Sequence, residues 1–329
     1  SIERRLFRIG GRWCGMFYLL KGENKEKGTV SCHSVYRALL IAIFGTVAIA
    51  AHAVPSYTIL DLGTLAGATS RGNGVNDSGQ VTGGAQAVYD PMTGGYFSHA
   101  FVWDKASGMT DLGPLGLGSG GSSGNGINDS GMVTGSYSVS SPLGDVSHAY
   151  VWDAGNGVID IGTLGGLSSV GIAINDIGQV AGYYSLYVPD PAHPGPIHAF
   201  IWDAASGMMD LGTLGGVSSY PDAINDAGQV VGRSEIVGDA VPRAFLWDPV
   251  DGMLNLQDLV ADFSDWEYLE SAEDISDTGY ITGYGYNAEG LRRAFLMVPS
   301  ANGVPTSSPI SLMALGPVSY THLRAHETF

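Results

Sequence analysis

Three short motifs return in the same order along this chain, about fifty residues apart, and that periodicity constrains the fold more than any other feature. The first is Asp61-Leu62-Gly63, repeated as Asp111-Leu112-Gly113, Asp160-Ile161-Gly162 and Asp210-Leu211-Gly212, then weakened to Leu254-Asn255-Leu256. The second is Val75-Asn76-Asp77, Ile127-Asn128-Asp129, Ile174-Asn175-Asp176, Ile224-Asn225-Asp226 and Ile275-Ser276-Asp277. The third runs from His99 to Asp104, His148 to Asp153 and His198 to Asp203 as His-Ala-aromatic-x-Trp-Asp. It changes to Arg243-Ala244-Phe245-Leu246-Trp247-Asp248 and then Arg293-Ala294-Phe295-Leu296. The second motif recurs at spacings of 52, 47, 50 and 51 residues. Units this regular stack, because each buries its apolar faces against its neighbours.

Each unit reads as four short strands. The chain has 49 Gly, many beside Asn-Asp pairs, which points to tight turns between strands rather than to helices. In the fourth unit, Tyr220 to Asn225 leads into a turn at Asp226-Ala227-Gly228, and Gln229 to Gly232 runs back. A variable loop, a strand at Ala244–Trp247, a turn and a strand at Met253–Leu256 complete it. We label the four strands A to D in that order. In strand C, Phe101 and Trp103 point one way, and Ala100 and Val102 the other. Both faces are apolar, so the strand is covered on both sides. Radial closure protects the edges of such stacked sheets. The chain opens on a lone D segment, Tyr57 to Leu62, and ends on A, B and C with no D after Met297. The expectation is an all-β, five-bladed β-propeller of four-stranded antiparallel blades over 54–300, with the N-terminal strand completing the last blade. An open β-solenoid or part of a larger propeller is the alternative.

Leu39 to Ala50 is an uncharged apolar run, preceded by Arg37 and followed by Ala51-His52-Ala53. A basic region, a short apolar stretch and a small-residue site make residues 30–53 a secretory signal, cut after Ala53. The run is shorter than the roughly 20 residues that span a bilayer, so no transmembrane helix is expected in the mature part. Residues 1–29 read as a non-native or disordered lead-in without pattern. Residues 319–329 read as an adapter-derived tail. Between 54 and 318, six Lys and Arg stand against 28 Asp and Glu. So acidic a surface repels phosphate backbones, and nucleic acid is not an expected partner. Cys14 and Cys32 both precede the cut, so packing rather than disulfides stabilises the exported part.

The repeated units resemble the HAF-repeat family of extracellular bacterial proteins over roughly 57–298. The fifth unit departs from it, with Ser276 for Asn and Arg292-Arg293 before Ala-Phe. The resemblance implies export and repeats rather than a defined activity. Val304-Pro305-Thr306-Ser307-Ser308-Pro309, followed by the apolar start at Ile310, resembles a truncated PEP-CTERM sorting signal, with 301–318 as linker and partial signal. It implies an envelope-processed protein at the outer surface of a Gram-negative bacterium, or released from it.

His99, His148 and His198 invite a zinc hypothesis. Strand C lies two strands out from the innermost strand A, at about 4.8 Å per strand, so related histidines sit on a wide ring and do not converge. No metal site is expected from them; they are expected to anchor the B–C loop. The repeated Asp77, Asp129, Asp176, Asp226 and Asp277, and the Trp-Asp residues Asp104, Asp153, Asp203 and Asp248, read as turn caps. Per-blade calcium is the minor alternative, and no other cofactor is expected. The variable B–C loops and their borders carry Tyr89, Tyr96, Tyr137, Tyr183, Tyr184, Tyr187, Tyr284 and Tyr286 beside carboxylates, a composition suited to sugar faces and hydroxyls. The functional expectation is an exported, non-catalytic protein of the cell surface or extracellular matrix that binds polysaccharide there. A structural or protein-partner module is the alternative. An enzyme would be a five-bladed glycosidase drawing on Asp222, Glu267, Glu270, Glu273 and Asp274, but four of these five belong to one unit, and carboxylates converging from several blades are not expected. There is no G-x-S-x-G, H-E-x-x-H or nucleophilic Cys.

Overall fold

The computed structural model describes residues 2–9, 12–20 and 57–299, except 93, 116–119, 143 and 187–194. The signal segment 30–53, the linker and sorting signal 301–318, the tail 319–329 and Tyr187 lie outside the described residues. The chain divides into two compact units, 1–59 and 60–329. In the first, β1 (Ile2–Ile9) and β2 (Arg12–Leu20) form an antiparallel hairpin. The hairpin lies within 1–29, the segment expected from sequence to be a non-native or disordered lead-in.

The second unit is an all-β, five-bladed propeller whose sheets each run in sequence order with antiparallel neighbours. Blade 1 holds β3 (Ser70–Val75), β4 (Val81–Asp90), β5 (Gly95–Asp104) and β6 (Gly108–Asp111). Blade 2 holds β7 (Ser122–Ile127), β8 (Val133–Ser141), β9 (Gly144–Asp153) and β10 (Gly157–Gly162). Blade 3 holds β11 (Ser168–Ile174), β12 (Val180–Ser185), β13 (Ile197–Asp203) and β14 (Gly207–Gly212). Blade 4 holds β15 (Gly215–Ile224), β16 (Val230–Ile236), β17 (Asp239–Asp248) and β18 (Gly252–Asn255). Blade 5 holds β19 (Trp266–Ile275), β20 (Ile281–Asn287) and β21 (Arg292–Met297).

The alternation in strand C builds the core. Ala100 and Val102 of blade 1 pack with Ile127, Val133, Tyr137 and Tyr150 of blade 2. Ala149 and Val151 meet Val180, Tyr184, Phe200 and Trp202 of blade 3, and the pattern continues through blades 4 and 5. The small and β-branched face of one blade thus receives the aromatic face of the next. Tyr150, Phe200 and Phe245 are fully buried in this way, each worth about 1.5–3 kcal/mol by area.

Strand A carries a one-residue bulge in every blade, which leaves Asn73, Asn125, Ile172, Asp222 and Glu273 unpaired in the ladder. The bulge drives an A-strand carbonyl against a glycine of strand B. At Gly135 a Cβ would collide with the carbonyl of Ser123, and at Gly182 with that of Val170. The Val-x-Gly at the start of strand B therefore answers to the bulge opposite it.

The fourth strand expected in blade 5 is not formed. Residues 57–62 carry no strand pairing, and Leu60 and Asp61 are exposed. Among the described residues the faces of the first and last blades are open. Val75 is 68% exposed where its counterpart Ile127 is 8%, and Leu296 is 62% exposed where Val151 is 0%. Without the first blade beside the last, nothing holds the lone segment at the edge of β21.

Candidate functional site

The repeated polar motifs build the frame. In the first four A–B turns the Asn side-chain oxygen accepts the N–H four residues on, as Asn175 Oδ1 does from Gln179 at 2.8 Å, and in the fifth Ser276 Oγ accepts from Tyr280. The Asn amide Nδ2 then donates to the next blade: Asn76 to the Asn128 carbonyl, Asn128 to Asn175, Asn175 to Asn225, each at 2.9 Å. Beside it, the N–H of each Asp donates to the next blade's Asp carboxylate, from Asp77 to Asp129, Asp176, Asp226 and finally Asp277. These carboxylates tie blade to blade, and do not cap their own turns as expected. The Trp-Asp carboxylates do cap theirs. Asp104 accepts from Ala106 and Ser107, and Asp203 from Ala205 and Ser206; these hydrogen bonds hold both below the usual carboxylate range.

Among the described residues the histidines share no common centre, and their rings reach strand D rather than the B–C loop. Nδ1 of His99, His148 and His198 lies 2.9–3.0 Å from the Asp-Leu-Gly carboxylates Asp111, Asp160 and Asp210 of the same blade, joining strand C to strand D. Arg243, at the equivalent place in blade 4, turns to its B–C loop, where it meets Asp239 at 2.8 Å. Burial opposes ionisation of Asp160, but hydrogen bonds from His148, Gly162 and Tyr137 prevail and hold its carboxyl below the ordinary range. Among the described residues no three His, Cys, Asp or Glu side chains cluster as a metal site.

Chemistry that the repeat does not require gathers on blades 3 to 5. Asp222 and Glu273 occupy the bulge position of neighbouring A strands, β15 and β19. In blades 1 and 2 the same position holds Asn73 and Asn125, whose amides donate to the next blade's Gly124 and Gly171 carbonyls at 2.8 Å. The acids instead lie near enough for their charges to interact. Burial first, and then the Glu273 charge, push the Asp222 carboxyl up to about 6, against the opposing pull of Arg233 and of Ser271. Ser271 Oγ donates to Asp222 Oδ2 at 3.4 Å. Arg233 lies 5.1 Å above the Tyr220 ring, and Tyr220 meets Tyr183 edge-on at 5.9 Å. On blade 5, Tyr284 OH donates to Glu270 at 3.5 Å and Arg292 stacks 3.6 Å from the Tyr284 ring centre. Burial, and then Glu270, raise the Tyr284 hydroxyl above its ordinary value.

This arrangement divides the sequence-predicted tyrosines. Tyr183 and Tyr284 join the half-buried cluster. Tyr137 and Tyr184 are buried between blades, with Tyr137 OH donating to Asp160 at 2.8 Å. Tyr89 and Tyr96 sit apart on blade 1, edge-on at 5.4 Å, and Tyr286 stacks on Tyr268 at 5.0 Å. Sequence reasoning missed Tyr220, Arg233 and Arg292. It also set Asp222 apart from the blade 5 acids, whereas the bulge register makes it the neighbour of Glu273.

No family model matches the chain, and no curated protein matches it in sequence. Among solved structures it is similar to the β-propeller domain of the Trilobed protease from Pyrococcus furiosus, described as having an open velcro topology. The likeness is at 14% identity and a TM-score of 0.39, over 66% of this chain and 61% of that one, so this chain spans less than two thirds of that neighbour's length.

Proposed function

We propose that this chain is an exported, non-catalytic repeat protein of the cell surface or extracellular matrix that binds polysaccharide on blades 3 to 5. One observation carries the binding site: Tyr183, Tyr220 and Tyr284 stand beside Arg233, Asp222, Glu270 and Glu273 on a frame that needs none of them. Half-buried rings offer flat apolar area to sugar faces, and the Arg and carboxylate groups suit hydroxyls. Export rests on the sequence of residues 30–53 and surface attachment on 301–318. A polysaccharide pull-down and glycan array with the full chain, with and without calcium, tests the reading. Tyr220→Ala and Tyr284→Ala are expected each to weaken binding at least tenfold, about 1.4 kcal/mol. Specific binding unchanged in both variants would move the site elsewhere.

A glycosidase is the second reading, favoured by one fact: Asp222 is a carboxyl raised to about 6 beside a second carboxylate, Glu273. Hydrolysis of a bound polysaccharide, abolished in both Asp222→Asn and Glu273→Gln, would establish it over plain binding.

A further inference from the structure

The boundaries between neighbouring blades share two directional joints, one present at all four boundaries and the other at the first three. The Asp N–H of one blade donates to the Asp carboxylate of the next, at 2.9 Å in all four cases. The strand-C Ala N–H donates to the next blade's strand-A Ser: Ala100 to Ser122, Ala149 to Ser169 and Ala199 to Ser219, at 2.8–2.9 Å. The same Ala and its aliphatic neighbour pack beneath the apolar residues of the following blade. One face of a blade is the donor half of this interface and the opposite face is the acceptor half.

Among the described residues one copy of each half is open. Blade 1 presents the acceptor half: the exposed Asp77 carboxylate, Ser70 and Val75. Blade 5 presents the donor half: Asp277, and Ala294 and Leu296 exposed on β21. A charged pair is split in the same way. Arg293 holds the position that His99, His148 and His198 hold in their blades, but among the described residues blade 5 has no strand D to supply the aspartate, and the Arg293 guanidinium donates to the Arg292 carbonyl. Asp61 is the Asp-Leu-Gly aspartate outside every described sheet, and it accepts the N–H of Gly63.

We propose that these halves join between molecules, so that blade 5 of one chain seats on blade 1 of a second copy, head to tail. The Asp277 N–H then donates to Asp77 of the second copy and the Ala294 N–H to Ser70. Arg293 pairs with Asp61, and Leu296 packs against Val75. The occupant follows from continuity: the contact would repeat the Asp–Asp joint the chain already makes four times and the Ala–Ser joint it makes three times. Within one chain the two halves stay open in this structure. The Arg293–Asp61 attraction is local, while acidic surfaces elsewhere repel, so the contact selects this orientation. A heterologous contact does not saturate itself, and it grows into a filament or closes into a ring of several chains.

The test uses the full chain in sedimentation velocity over a concentration series. The wild-type protein is expected to form species larger than a monomer that grow with concentration. Leu296→Glu blocks the donor end alone and Val75→Glu the acceptor end alone; both side chains are exposed, so folding is retained. Each variant alone is expected to stay monomeric up to at least tenfold higher concentration, while an equimolar mixture of the two forms dimers through the intact ends. A wild-type protein that remains monomeric throughout overturns the proposal. So does a mixture that associates no better than its components. As an independent readout, Asp77→Cys and Asp277→Cys are combined on a Cys14→Ser, Cys32→Ser background. Disulfides between chains of different tag length support assembly; a disulfide formed only within single chains shows closure of one molecule on itself and overturns it.

Discussion

The N–H of Asp129 donates to the carboxylate of Asp176 at 2.9 Å, across 47 residues and from one blade to the next. Alongside it, the Asn128 amide reaches the Asn175 carbonyl at the same distance. Two adjacent residues of one turn thus fix the neighbouring turn, and the motif that recurs in sequence is the joint between blades as much as a turn within one.

Removing one joint in the middle of the stack should cost more than removing the last. Asn175 is buried and its side chain holds Gln179 and Asn225 at once, so Asn175→Ala leaves buried polar groups unpaired. A loss of about 2–3 kcal/mol is expected in urea unfolding. Asn76→Ala, at the half-exposed open end, should lose clearly less.

Glycine matters for different reasons in strand and turn. Gly182→Ala drives a methyl into the Val170 carbonyl and the Phe200 ring, and about 3 kcal/mol of destabilisation is expected. Gly238→Ala meets nothing, but must adopt a φ of 75°, and should cost about 1–2 kcal/mol. Paired denaturant curves measure both.

The Asp222 carboxyl, raised to about 6, binds its proton more tightly in the folded than in the unfolded chain. Its contribution to stability is therefore fully present below the ordinary carboxylate range and is lost as pH rises through 6. Asp222→Asn should remove that fall and raise stability at neutral pH. Glu273→Gln should bring the Asp222 titration down, which carboxyl chemical shifts followed over pH will record.

Asp160 works in the opposite sense. Its carboxyl is held low in the folded state, so its contribution is present above the ordinary carboxylate range and fades as pH falls through the folded value. Asp160→Asn should flatten part of the acid limb of a melting-temperature series between pH 6 and pH 3. The side chain is 43% exposed, and solvent screening keeps the effect modest.

The blades were legible because their signals are local. Asn-Asp-x-Gly marks each turn, and the alternation of Ala and Phe in strand C marks two buried faces. The candidate site was half legible. Tyr183 and Tyr184 are adjacent in sequence and look equivalent, yet one joins the cluster and the other is buried between blades. The pairing of Asp222 with Glu273 was hidden because a bulge adds one residue to strand A, so alternation cannot be counted through it. The open ends were illegible for another reason. Ring closure depends on a small angle between blades accumulated over the stack, and no single motif encodes it.

The joints draw on residues close to the Asn-Asp pairs and to the His-Ala strands, and leave the B–C loops out. Loop lengths can therefore drift, as the unequal spacings of 52, 47, 50 and 51 residues already record, without loosening any blade from its neighbour. For a gene, a blade is then a module that in-frame duplication can add or deletion can remove. The surviving neighbours would find the same donors and acceptors waiting, so length in such a lineage is free to vary faster than fold.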